Sequence, residues 1–225
     1  MIAADDALVE DAVENVINHL KNNSNVELLF TQVEIYMEEF SPENSLGIQP
    51  SNSNQISLYS STVTPEMQLE YLLKGGGYHY APGFFTKKSI FSEVGFYDEV
   101  YTMTEDVPFF LKLALNGKKV CYAPVLTAKY RKHNSNYTNR GDFVLPRYML
   151  QIYTVVYDAS KKYGKRKFII TNYWHKAIVK AIFFFGNQGV FCSVLDWFRL
   201  SFQPIRFYNL INKLQHKKSA VGFRL

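Results

Sequence analysis

Strand-like and helix-like segments alternate along the first 140 residues, and after Phe143 only helix-like segments follow. That order predicts an α/β domain over residues 1–140 and a helical region over 141–225. Leu8, Val9, Ala12, Val13, Val16, Ile17 and Leu20 mark an amphipathic helix over 8–20, with Asp6 near its N-cap and Met1-Ile2-Ala3 before it as a strand end. The β-rich run Val26–Ile35 predicts a strand, and the Ser-, Asn- and Pro-rich stretch from Glu38 to Ser61 predicts a long surface loop. Thr64, Pro65, the leucines at 69, 72 and 73, and Gly75 supply the cap, first turn, buried face and stop of a helix. A short strand over Phe84–Thr86 and a short helix over Lys87–Val94 come next. After a loop over Val100–Thr104, Thr104 reads as the cap of a helix that ends at Gly117, and Val120–Tyr130 reads as a strand. Helices are then expected through Leu145–Val156, through Trp174–Phe185, around Val190–Leu200 and after Pro204.

Charge divides the chain as sharply as periodicity does. Residues 1–110 hold four basic and seventeen acidic side chains, a net −13, whereas residues 111–225 hold twenty-one and three, a net +18. A uniformly basic nucleic-acid coat is excluded, and the second half is the place for an anionic partner. With 47% hydrophobic residues the chain has enough apolar content for a core. Cys121 and Cys192 are the only cysteines, so neither a disulfide scaffold nor a cysteine zinc site is supported, and a reducing compartment is expected. The start has no basic n-region or apolar h-region of a secretory signal. The longest uncharged lipophilic run, Ala181–Leu195, has 15 residues and includes Asn187 and Gln188. A spanning helix needs about 20.

Three local patterns could carry chemistry. Glu105 and Asp106 follow Thr104 at a helix start, where exposed backbone N–H groups favour an ionised carboxylate able to accept a proton. Asp5 and Asp6 stand at the start of the first helix, where carboxylates can hold a hard divalent cation beside phosphate oxygens. Tyr130-Arg131-Lys132-His133 follows a strand; arginine suits bidentate phosphate contact and neutral histidine can ligate a metal. Each taken alone reads more simply as an acidic first turn, an N-cap pair or a solvated basic loop.

Taken in order, Ala3-Ala4-Asp5-Asp6, Gly95-Phe96-Tyr97-Asp98-Glu99, Thr104-Glu105-Asp106, Asn116-Gly117-Lys118-Lys119 and Tyr130-Arg131-Lys132-His133 resemble the motif series of the family 2 glycosyltransferases. The resemblance covers roughly residues 1–140 and implies a partial GT-A, Rossmann-like nucleotide-sugar transferase domain. It implies that Asp106 is the base that deprotonates the acceptor hydroxyl, with Glu105 positioning the acceptor. It assigns Asp5, Asp6, Arg131 and His133 to the donor diphosphate and a divalent cation, Mg²⁺ or Mn²⁺, with Asp5 and His133 as metal ligands. Gly83, Asp98 and Glu99 are the implied acceptor-binding residues. The implied partners are a nucleotide-sugar donor and a glycan or lipid-linked acceptor, in cell-surface polysaccharide synthesis. In the family a βαβ unit that holds the nucleotide base precedes the Asp motif, so the resemblance implies an N-terminally truncated chain.

Residues 143–218 interleave Lys and Arg with Phe, Tyr and Trp. That mixture suits an anionic membrane surface, with rings at headgroup level and cations toward lipid, and predicts a cytoplasmic protein peripheral at the inner face of the plasma membrane. Nucleic acid is not expected as a partner, because the acidic first half repels a polyanion. The competing expectation is a catalytically inactive remnant that serves only as a membrane- or partner-binding module.

Overall fold

The computed structural model describes residues 2–51, 56–76, 80–101, 104–133 and 144–184, with Arg199 and Pro204. The chain divides into two compact units, Met1–Leu72 with Gly76–Arg140, and Leu73–Gly75 with Gly141–Leu225.

The first unit is α/β with a mixed sheet. Its elements are β1 (Ala7–Leu8), α1 (Ala12–Asn22), β2 (Leu28–Met37), β3 (Ser45–Gln49), α2 (Pro65–Leu73), β4 (Phe84–Thr86), α3 (Ser89–Val94), α4 (Asp106–Leu115) and β5 (Cys121–Lys132). Strand β2 organises the sheet. It pairs in parallel with β5 from Leu29↔Cys121 to Met37↔Lys132. Its other edge is shared by two antiparallel strands, β4 against Leu28–Phe30 and β3 against Val33–Tyr36. Strand β1 pairs antiparallel with the far edge of β5, Leu8 opposite Ala128.

The composition of β2 explains its central place. Leu28, Leu29, Phe30, Val33 and Ile35 are all buried, because helices cover both faces of a strand whose side chains alternate. Leu29 faces α1 in a cluster with Val16, Val26 and Ala123. Phe30 faces the other way, with ring centroids 5.1 Å from Phe84 and 5.7 Å from Phe110 of α4. Each such fully buried side chain contributes about 1.5–3 kcal/mol of transfer free energy.

Helix α2 follows its local signals. The Thr64 hydroxyl accepts the Met67 N–H at 3.2 Å, Leu69, Leu72 and Leu73 are buried, and Gly75 takes φ 83° beyond the end. Between Leu69 and the cap, Gln68 is wholly buried and spends its amide on Val120, accepting the N–H at 2.9 Å and donating to the carbonyl at 2.8 Å. That exchange ties α2 to the start of β5.

Three expectations are corrected. The segment 38–61 contains β3, an exposed edge strand that forms because β2 offers it a backbone partner. The chain is extended at Ala7–Leu8, after the aspartates, and α1 begins only at Ala12, because Leu8 and the Val9 N–H engage β5, the latter at 3.0 Å from the Thr127 carbonyl. Thr104 does not cap α4: its hydroxyl is buried and has no hydrogen-bond partner among the described residues. The helices expected around Val190–Leu200 and after Pro204 fall largely outside the described residues.

The second unit holds α5 (Val144–Tyr163) and α6 (Arg166–Phe184), joined through Gly164 at φ 78°. Asn172 is buried and donates to Ser160 Oγ at 2.7 Å and to the Leu73 carbonyl at 2.9 Å, while Ser160 donates to the Val156 carbonyl at 2.7 Å. Burial pushes His175 down to about 4, with the Arg199 charge adding to the effect. No described helix is long and apolar enough to cross a membrane.

Candidate active site

Strand β5 carries Arg131 and His133 to one end of the sheet, and the β1–β5 pairing brings the turn before β1 to the same end. As a result Asp5 Oδ2 lies 2.9 Å from His133 Nε2, and Asp6 Oδ1 accepts the Arg131 N–H at 3.0 Å. The four residues that the resemblance assigns to the diphosphate thus form one cluster. The two carboxylates differ in character. The hydrogen bond from His133 holds Asp5 below the usual carboxylate range, whereas burial, with the neighbouring Asp5 charge, raises Asp6 above it. The Arg131 guanidinium lies 4.4 Å from the centre of the Phe40 ring, a cation–π contact that orients its fork.

A second group forms at the start of α4. Asp106 is its first residue and Glu105 its N-cap, with the Asp106 carboxylate accepting the Val107 N–H at 2.8 Å. Contrary to the expectation from its N–H groups, the helix start does not leave Asp106 easier to ionise: burial outweighs the Val107 N–H and raises it above the ordinary Asp value, and the Glu105 charge adds to it. Tyr97 packs beside them, its ring 4.5 Å from Phe109, and its phenol is raised first by burial and then by the Asp106 and Glu105 charges. The raised carboxyl is the property a proton acceptor needs, since it is more basic than a solvated aspartate.

The implied acceptor residues stand apart in character. Gly83 ends a short 3₁₀ turn over Ala81–Gly83 and is buried against β2, its carbonyl accepting the Thr31 hydroxyl at 3.0 Å. Asp98 turns its carboxylate onto the Val100 N–H at 3.1 Å, and Glu99 is exposed in the same turn.

No family model matches the chain, and no curated protein does. The site therefore rests on its own geometry. Among the described residues no group of three or more His, Cys, Asp or Glu is placed to hold a metal ion by itself. Asp5 and His133 are ligand types that a cation could take, but their 2.9 Å contact is a direct hydrogen bond, so a bound ion would replace the proton shared between them. The carboxylate oxygen suits Mg²⁺ or Mn²⁺, while the imidazole nitrogen favours a transition ion such as Mn²⁺ over Mg²⁺.

Sequence reasoning gave no role to Tyr97, Phe40 or Tyr80. Tyr97 had a usable signal, its place inside the Gly95–Glu99 motif. Phe40 lies in the Ser-, Asn- and Pro-rich stretch 38–61, whose loop-like composition masks it. Tyr80, whose ring lies 4.8 Å from Tyr130, had no local signal, because the pairing depends on the fold.

Proposed function

We propose that the first unit is the acceptor and diphosphate side of a GT-A nucleotide-sugar glycosyltransferase that works by inverting displacement. The observation that carries this reading is the convergence of Asp5, Asp6, Arg131 and His133 at one end of the sheet, from positions 125 or more residues apart. Asp106 removes the proton from an acceptor hydroxyl. The hydroxyl oxygen forms a bond to the anomeric carbon as the bond from that carbon to the diphosphate oxygen breaks. The proton ends on the Asp106 carboxylate, and the electron pair leaves with the nucleoside diphosphate. Glu105 and Tyr97 hold the acceptor side, with Gly83 and the Asp98–Glu99 turn shaping its loops. Arg131 takes the diphosphate as a bidentate donor.

Asp5 and His133 would hold the divalent cation, whose chemistry is to offset charge developing on the departing diphosphate. The donor set supports that role, because two protein ligands leave positions for phosphate oxygens.

Calorimetric titration of the full chain with a panel of nucleoside diphosphates, with and without Mn²⁺, tests the site. At least one is expected to bind in a Mn²⁺-dependent way that His133→Ala weakens. Absence of binding across the panel would overturn the reading.

A further inference from the structure

Helix α6 presents a face to solvent that a soluble helix pair does not require. Arg166, Ile170, Tyr173, Ala177, Lys180 and Phe184 are all exposed and recur at spacings of four and three. At 100° per residue they fall within an arc of about 80° and form a stripe about 27 Å long. The apolar members are not incidental edges of buried side chains, since Ile170 is 42%, Tyr173 60% and Phe184 83% exposed. The opposite face already supplies the internal packing, through buried Phe168, Thr171, Asn172, Val179 and Ile182.

Charge identifies what covers the stripe. The helix carries Arg166, Lys167, Lys176 and Lys180 and no Asp or Glu. Lys161 and Lys162 lie in the last turn of α5 and Lys165 just before α6; Lys161 meets Asp158 at 2.7 Å, and the Lys165 and Lys167 ammonium groups lie 4.8 Å from the centres of the Tyr163 and Phe168 rings. Lys165, Arg166 and Lys167 stand at the amino end of α6, where the helix macrodipole disfavours cations. An external anion at that end relieves the repulsion, while the exposed rings and Ile170 call for an apolar medium beside the same anion. A bilayer interface of anionic phospholipid offers both at matching depth. Nucleic acid offers the phosphate without the hydrocarbon that Ile170 and Phe184 require.

We propose that the exposed stripe of α6 lies on an anionic lipid surface, with Ile170, Tyr173 and Phe184 inserted at the headgroup level and the basic residues around Arg166 on the lipid phosphates. This surface belongs to the second unit alone and stands whether or not the first unit transfers a sugar.

Flotation of the full chain with vesicles of phosphatidylcholine and phosphatidylglycerol in equal parts, against pure phosphatidylcholine, tests it. Binding is expected to the anionic vesicles only and to weaken with salt. The triple variant I170S/Y173S/F184S should lose at least tenfold in partitioning; because Tyr173 also packs on the Tyr157 ring at 5.7 Å, its melting temperature is measured alongside, and I170S/F184S, which keeps that ring pair, should lose partitioning in the same direction. The double variant R166E/K180E should lose more than tenfold, since each basic residue near such a surface is worth about fivefold. Equal flotation on both vesicle types, or a triple variant that floats like the wild type, overturns the proposal. So does duplex DNA binding that removes the chain from anionic vesicles while the triple variant binds that DNA and those vesicles unchanged, which assigns the face to nucleic acid.

Discussion

Asp5 and His133, separated by 128 residues in sequence, meet at 2.9 Å from carboxylate oxygen to imidazole nitrogen. The contact exists because β1 adds to the free edge of β5, so the turn that precedes one strand abuts the residue that follows the other. If the pair holds a divalent cation, His133→Ala and Asp5→Ala each lower the affinity for Mn²⁺ with a nucleoside diphosphate by about tenfold or more. Acidification weakens binding in the wild type, because protons compete with the cation for its ligands. Titration calorimetry across a pH series measures both effects.

Asp106 offers a test through stability. Its folded-state pKa is raised, chiefly by burial, so the folded chain holds this proton more tightly than the unfolded chain does. The associated stability is fully present below about pH 3.9, the ordinary Asp value, and is lost as pH rises through the raised value. Asp106→Asn, which cannot ionise, should therefore melt higher than wild type at neutral pH, with the difference shrinking below that range. Thermal melts of both proteins at several pH values read this directly.

Gly83 has no room for a side chain. A Cβ there would sit 2.8 Å from Val33 Cγ2 and 3.1 Å from the Thr31 carbonyl oxygen, and Val33 is itself 1% exposed on the central strand. Gly83→Ala is expected to cost about 1–3 kcal/mol, read as a lower denaturant midpoint at unchanged slope.

In the second unit His175 stacks on Tyr153 at 5.1 Å and is held neutral by burial, down to about 4. Its depressed pKa gives stability that is present above the ordinary His value of about 6.5 and is lost as pH falls toward 4. Chemical denaturation followed over that window should show falling stability that His175→Gln flattens.

Local signals made part of this legible in advance. Thr64, Pro65 and the leucines set out α2, and the apolar run around Leu28–Ile35 gave the central strand, since those patterns depend on the chain's own neighbours. Edge strand β3 was not legible, because Leu46 and Ile48 are 52% and 40% exposed and the segment is extended only by virtue of the β2 edge beside it. Asp6 looked like a helix cap; its actual partner is the Arg131 N–H, 125 residues away, a contact that depends on strand pairing. The grouping of Asp5, Asp6, Arg131 and His133 followed from a family resemblance, and no spacing rule would have placed them together. Thr104 shows the limit of propensity, since a residue suited to capping is buried with its hydroxyl unmet among the described residues.

The most direct test of the transferase reading is the release of nucleoside diphosphate from a panel of nucleotide sugars, with Mn²⁺ and a hydroxyl-bearing glycan or lipid-linked acceptor present. The account predicts release by the wild-type chain, and a fall of about 10²–10⁴-fold in Asp106→Asn with nucleoside diphosphate binding retained. An Asp106→Asn chain as active as wild type, or no release from any nucleotide sugar tried, would contradict it.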